Sequence, residues 1–128
     1  MAVVEDRYRG KKEYVIVYGE LVTAARYRGT VTYQEIADIM GLPLTGSYMG
    51  SQVGWILGEI SEDEHRRGRP LLSAIAVGTS GLPGSGFYGL ARELGKLQDA
   101  TKEEEHRFWL EEKAAVHDTW KKQLKQSE

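Results

Sequence analysis

The chain has 128 residues, 41% of them hydrophobic and 28% charged, with no cysteine and a formal net charge of -2. That length suffices for one domain with a real core, and the missing cysteines exclude disulfides, thiolate metal sites and cysteine nucleophiles together. A sequence isoelectric point near 6.0 argues against a general nucleic-acid binder, so any such binding has to come from a local basic patch.

The opening, MAVVEDRYRGKKEY, carries charges where a secretory leader needs an apolar run, and no apolar run approaches membrane-spanning length. The expectation is a cytoplasmic protein with no membrane partner. Tyr8 between Arg7 and Arg9, with Lys11 and Lys12 following, reads as a frayed terminus in preference to a phosphate- and base-binding set. Residues 13–28 read as a helix with Tyr14, Val15, Val17, Tyr18, Leu21, Val22 and Ala25 on a broad apolar face, although YVIVY at its start also suits a strand. Arg26 and Arg28 suit its C-terminus, and Gly29 provides the stop.

The stretch GTVTYQEIADIMGLPLTGSYMGSQVG, residues 29–54, is the centre of the chain. β-branched and aromatic residues over 30–33 favour an extended start. Thr32 then offers an N-cap with Glu35 at capping-box spacing. Ile36, Ala37, Ile39 and Met40 give a short helix its apolar face, which Gly41 and Pro43 end. Gly46 and Gly50 flank a second start, with Val53, Ile56, Leu57 and Ile60 at helical spacing. Two helices joined by a glycine-containing turn form a helix-turn-helix candidate, a pattern that any small helical hairpin shares.

The second helix should reach about Glu64, and the acidic run Glu62-Asp63-Glu64 followed by Arg66, Arg67 and Arg69 reads as a solvated helix end and loop. Residues 70–77 are apolar and short enough for a buried strand. Residues 78–86 are a glycine-rich turn, after which Phe87-Tyr88 begins a return segment or a helix. Strand, tight turn and return after two helices are the layout of a winged helix. The turn lacks the Lys-Ser or Lys-Thr of a P-loop. His65, His106 and His117 have no zinc-ligand spacing, and no nucleophile elbow is present, so neither metal nor cofactor is expected. From Gln98 the chain turns polar. Thr101 caps a helix running to about Lys125, whose Trp109, Val116, Trp120 and Leu124 form one stripe. The stripe predicts docking on the domain's own core or, alternatively, on a second copy or a protein partner, since tryptophans often anchor interfaces.

RGTVTYQEIADIMGLP, GSQVGWILGEI and RPLLSAIAV with its glycine turn resemble, over residues 12–88, the C-terminal domain of O6-alkylguanine-DNA alkyltransferases and alkyltransferase-like proteins. Val31, Thr32, Tyr33, Glu35, Ile36, Ala37, Val53, Gly54 and Pro70 match. The resemblance implies a winged helix that enters the minor groove and flips a damaged guanine, with Tyr33 as the tyrosine that helps rotate the target phosphate. Three departures remove the chemistry. Leu71 stands in the slot of the acceptor cysteine, Leu72 in that of its activating histidine, and Ser51 in that of the arginine that replaces the flipped base. No thiolate means no alkyl acceptor, and the scaffold alone does not carry the function.

The expected fold is therefore α+β, a winged helix-turn-helix with an extra N-terminal helix and a long C-terminal one. Residues 1–98 form the winged-helix-like domain and residues 99–128 a helix packed on it or on a partner. The expected function is non-enzymatic binding of double-stranded DNA. Tyr33, Ser47, Tyr48, Ser51, Gln52 and Trp55 would face the duplex, Gln52 reading a base edge, with Arg66, Arg67 and Arg69 on phosphates. The alternative is a protein-interaction or small-ligand-sensing module on the same scaffold. Residues 1–98 hold 11 basic and 11 acidic side chains, which favours the alternative.

Overall fold

The computed structural model describes residues 6–122. Helix α1 spans Lys12–Arg26 and strand β1 spans Val31–Thr32. Helix α2 (Tyr33–Ile39) and helix α3 (Ser47–Arg66) follow. A single 3-10 turn, Leu72–Ile75, leads into strand β2 (Ala76–Val77), then helix α4 (Ser85–Glu93) and helix α5 (Lys102–Trp120). The molecule is thus mostly helical with one small sheet.

The local rules explain most boundaries. Thr32 accepts the Glu35 N–H at 3.0 Å while the Glu35 carboxylate accepts the Thr32 N–H at 2.7 Å, the reciprocal box its sequence spacing predicts. Thr101 and Glu104 repeat it at the start of α5. Helix α1 ends at Arg26, two residues short of the expected Arg28. Arg28 itself takes the left-handed conformation at φ 59°, and Gly29 N–H then closes on the Ala24 carbonyl at 2.8 Å.

Residues 71–77 of the expected strand are buried, but only the last two are strand, because Leu72–Ile75 winds into the 3-10 turn. Strand β2 pairs with β1 in parallel, Val31 opposite Ala76 and Thr32 opposite Val77. The segment after the glycine turn returns as helix α4. No antiparallel strand pair therefore forms a wing among the described residues.

The core lies between α1, α3 and the 3-10 turn. Val17, Leu21, Ile56, Ile60, Leu71 and Leu72 are fully or nearly fully buried there. Only one side of the predicted α1 face takes part, since Val15 is 66% exposed. The C-terminal stripe docks on its own domain. Trp109 is buried and its Nε1–H donates to the Ala74 carbonyl at 2.9 Å. Val116 is fully buried, and Trp120 meets Tyr18 edge-on at 6.4 Å with Arg69 over its ring. Leu124 lies outside the described residues.

Candidate functional site

Helix α3 has two working faces. On one, Gly50, Gly54 and Gly58 recur every four residues and so share a ridge. Opposite them stand Gly86 and Gly89 of α4. Between the two helices runs a cleft of about 1180 Å³, floored by Met49, Val53, Leu57 and Phe87. Seven of the residues that line it are glycine, and its one ionisable carboxylate is that of Glu93. Glycine inside a helix is less stable than alanine by about 0.8–1.0 kcal/mol per position. A Cβ built at Gly50, Gly54, Gly86 or Gly89 meets nothing within 4 Å. The chain's own packing therefore does not demand these glycines, whereas any larger side chain would fill the cleft.

Tyr33 closes one end. Its ring lies against Gly78 and Gly84, and its oxygen accepts the Gly84 N–H at 2.7 Å. Burial pushes the phenol up from its ordinary value, partly offset by that hydrogen bond. The group stays protonated at neutral pH and its O–H remains a donor.

The other face of α3 is covered. Residues 6–11, expected to fray, form a strap along it. The Glu59 carboxylate, 0% exposed, accepts the backbone N–H groups of Arg7, Tyr8 and Arg9 at 2.7–3.0 Å. Arg9 reaches Glu62 at 2.6 Å and Asp63 at 3.1 Å. Tyr8 donates its hydroxyl to Gln52, and the Arg7 guanidinium stacks 4.0 Å from the Trp55 ring centre.

This arrangement corrects several site expectations. Gln52 is 7% exposed and bound to the strap, so it does not present an amide to a base edge. Trp55 is half-buried under Arg7. Ser47, Tyr48 and Ser51 are exposed as expected, Tyr48 at 60%.

The acidic run is not solvated either. Glu62 and Glu64 are buried and take the arginines: Arg66 lies 3.4 Å from Glu62, Arg67 3.9 Å from Glu64, and Arg69 grips Glu64 at 2.7 and 2.9 Å. Burial acts to push Asp63 up, but hydrogen bonds from Arg9 and Tyr14 and the Arg9 charge outweigh it, and the carboxyl is held below its ordinary value. These side chains edge a smaller hollow of about 360 Å³ in which Arg9, Tyr14, Asp63 and Arg69 already engage partners.

Compared with family models, with curated proteins and with solved structures, the chain matches none. The site therefore has to be read from its own chemistry.

Charge is the plainest part of that chemistry. Residues 29–65, which hold α2 and most of α3, contain six carboxylates and no lysine or arginine, and residues 70–91 contain no charged residue at all. Leu71 and Leu72 are fully buried. Among the described residues no cluster of histidine and carboxylate side chains could hold a metal ion, and no helix is long and apolar enough to cross a membrane.

Sequence reasoning missed the α4 wall of the cleft and the Glu59 anchor. The signal for the first was present in Gly86 and Gly89, which face the evenly spaced Gly50, Gly54 and Gly58 of α3. For the second there was none, because the partners of Glu59 are backbone groups some fifty residues away.

Proposed function

We propose that the protein is a non-enzymatic binding module whose α3–α4 cleft takes a small organic ligand. The carrying observation is the cleft itself: about 1180 Å³, a little above the usual range of small-molecule sites, and bordered by Gly50, Gly54, Gly86 and Gly89, where an added Cβ would meet nothing within 4 Å. An apolar floor with a few polar groups at the rim (the Tyr33 hydroxyl, Ser51, Ser85 and Glu93) is the composition such sites share. The test uses a neutral apolar dye, N-phenyl-1-naphthylamine, which should bind one molecule per chain. A Cβ at position 54 enters open space, and Gly54→Leu extends a larger side chain from there. It should weaken the dye more than about tenfold, the loss expected when more than about 1.4 kcal/mol of contact is displaced. Unchanged binding in that variant would place the dye elsewhere and end this reading.

A second reading, binding of double-stranded DNA by the α2–α3 helix-turn-helix, is favoured by the exposure of Ser47, Tyr48 and Ser51 at the start of α3. The absence of cations from residues 29–65 and the pairing of Arg66, Arg67 and Arg69 with α3 carboxylates weigh against it. Duplex affinity measured at two salt concentrations decides. Phosphate contacts give a log–log slope of about -0.9 for each phosphate neutralised, and we expect a slope near zero.

A further inference from the structure

We infer that the ligand of the α3–α4 cleft is a flat aromatic molecule carrying a positive charge. The inference rests on the reading of the cleft as a ligand site and adds the chemistry of its occupant. Flatness follows from the walls. Where a helix carries glycine in place of a side chain, a planar ring can lie against the backbone itself, and here glycines of α3 and of α4 do so from opposite sides. Aromatic character follows from Tyr33, Trp55 and Phe87, which line the cleft and favour offset or edge contacts with another ring.

The charge follows from what surrounds the space. Neither residues 29–65 nor residues 70–91 contribute a lysine or arginine, and Glu93 is the one charged residue in the lining. An anion entering the cleft would shed water and find no lysine or arginine among the lining residues, with Arg7 on Trp55 the nearby cation. A cation would gain the Glu93 carboxylate and the faces of the rings. Arg7 already occupies the Trp55 ring at 4.0 Å, which assigns the positive group of the ligand to the Glu93 end. The two side chains should therefore have opposite effects on a cationic ligand, Glu93 attracting it and Arg7 repelling it.

Three flat dyes separate the possibilities: thioflavin T, which is cationic, N-phenyl-1-naphthylamine, which is neutral, and 1-anilinonaphthalene-8-sulfonate, which is anionic. Thioflavin T should bind most tightly and the sulfonate least. Glu93→Gln should weaken thioflavin T about threefold, the size expected for one exposed charge, and leave the neutral dye unchanged. Arg7→Ala should strengthen thioflavin T relative to the neutral dye. Suppose instead that Gly54→Leu abolishes binding of the neutral dye while the sulfonate binds as tightly as thioflavin T, or that Glu93→Gln acts alike on both. The charge assignment then falls and the cleft stands. If none of the three dyes shows binding that Gly54→Leu removes, the ligand site falls and this inference with it.

Discussion

Replacing Trp109 with alanine should destabilise the protein by about 3–5 kcal/mol, the usual loss for a large buried aromatic. Its indole does two jobs at once. The ring is buried against the core, and its N–H satisfies the carbonyl of Ala74 inside the 3-10 turn. Truncation leaves a cavity and an unpaired buried acceptor together. Trp109→Phe separates the two losses, since it keeps most of the volume and removes the donor. We expect it to fall between wild type and alanine. Denaturant titration measures both. A loss below about 1 kcal/mol for the alanine variant would mean that α5 contributes little to the core, contrary to the contacts described.

Arg9→Ala should be the second large loss, about 3 kcal/mol, because it strips a counter-charge from carboxylates that stay buried. Glu62 is 2% exposed and would lose its 2.6 Å contact with the Arg9 guanidinium, while Arg66 lies farther off at 3.4 Å on a half-exposed side chain. Arg9→Lys should not restore the loss. A single ammonium cannot span Asp6, Glu62 and Asp63 as the guanidinium fork does.

The pH dependence has a definite sign. Asp63 is held below its ordinary value in the folded chain. Its contribution is complete above that ordinary value and is lost as the pH falls through the lower, folded one. The gap between wild type and Arg9→Ala should therefore narrow as the pH drops from about 5 to about 3. Equal gaps at both ends would locate the effect in packing of the arginine stem. Amide exchange at Tyr8 and Arg9 should quicken in the variant, since the strap loses its side-chain anchor.

What was legible in the sequence was what neighbours in sequence decide. Thr32 with Glu35 and Thr101 with Glu104 cap helices by contacts three residues apart, so spacing alone announced them. The burial of residues 71–77 followed from composition, and the end of α1 was misplaced by two residues. The errors arose where a distant group rewrote a local preference. An acidic run on a helix reads as solvated until Arg9 arrives from the strap and Arg69 from the following loop. Gln52 reads as a base-reading amide until Tyr8 takes it. The parallel pairing of β1 with β2 was likewise out of reach, because a glycine turn followed by aromatic residues suits a hairpin as well as the start of a helix.

That parallel pair also sets a timetable for folding. Val31 and Thr32 wait for partners at 76 and 77, and the side of the 3-10 turn that faces α5 remains open until Trp109 has been made. The last ties are later still. His117 reaches the carbonyl of Gly29, and Lys122 N–H reaches that of Arg26, so the tail of the chain closes its first helix. Contacts this far apart in sequence slow folding, since loop closure precedes their reward. During synthesis the side of the segment 71–77 that α5 covers stays open while α4 and α5 are being made, which is the interval in which a chaperone or a neighbouring nascent chain competes for it.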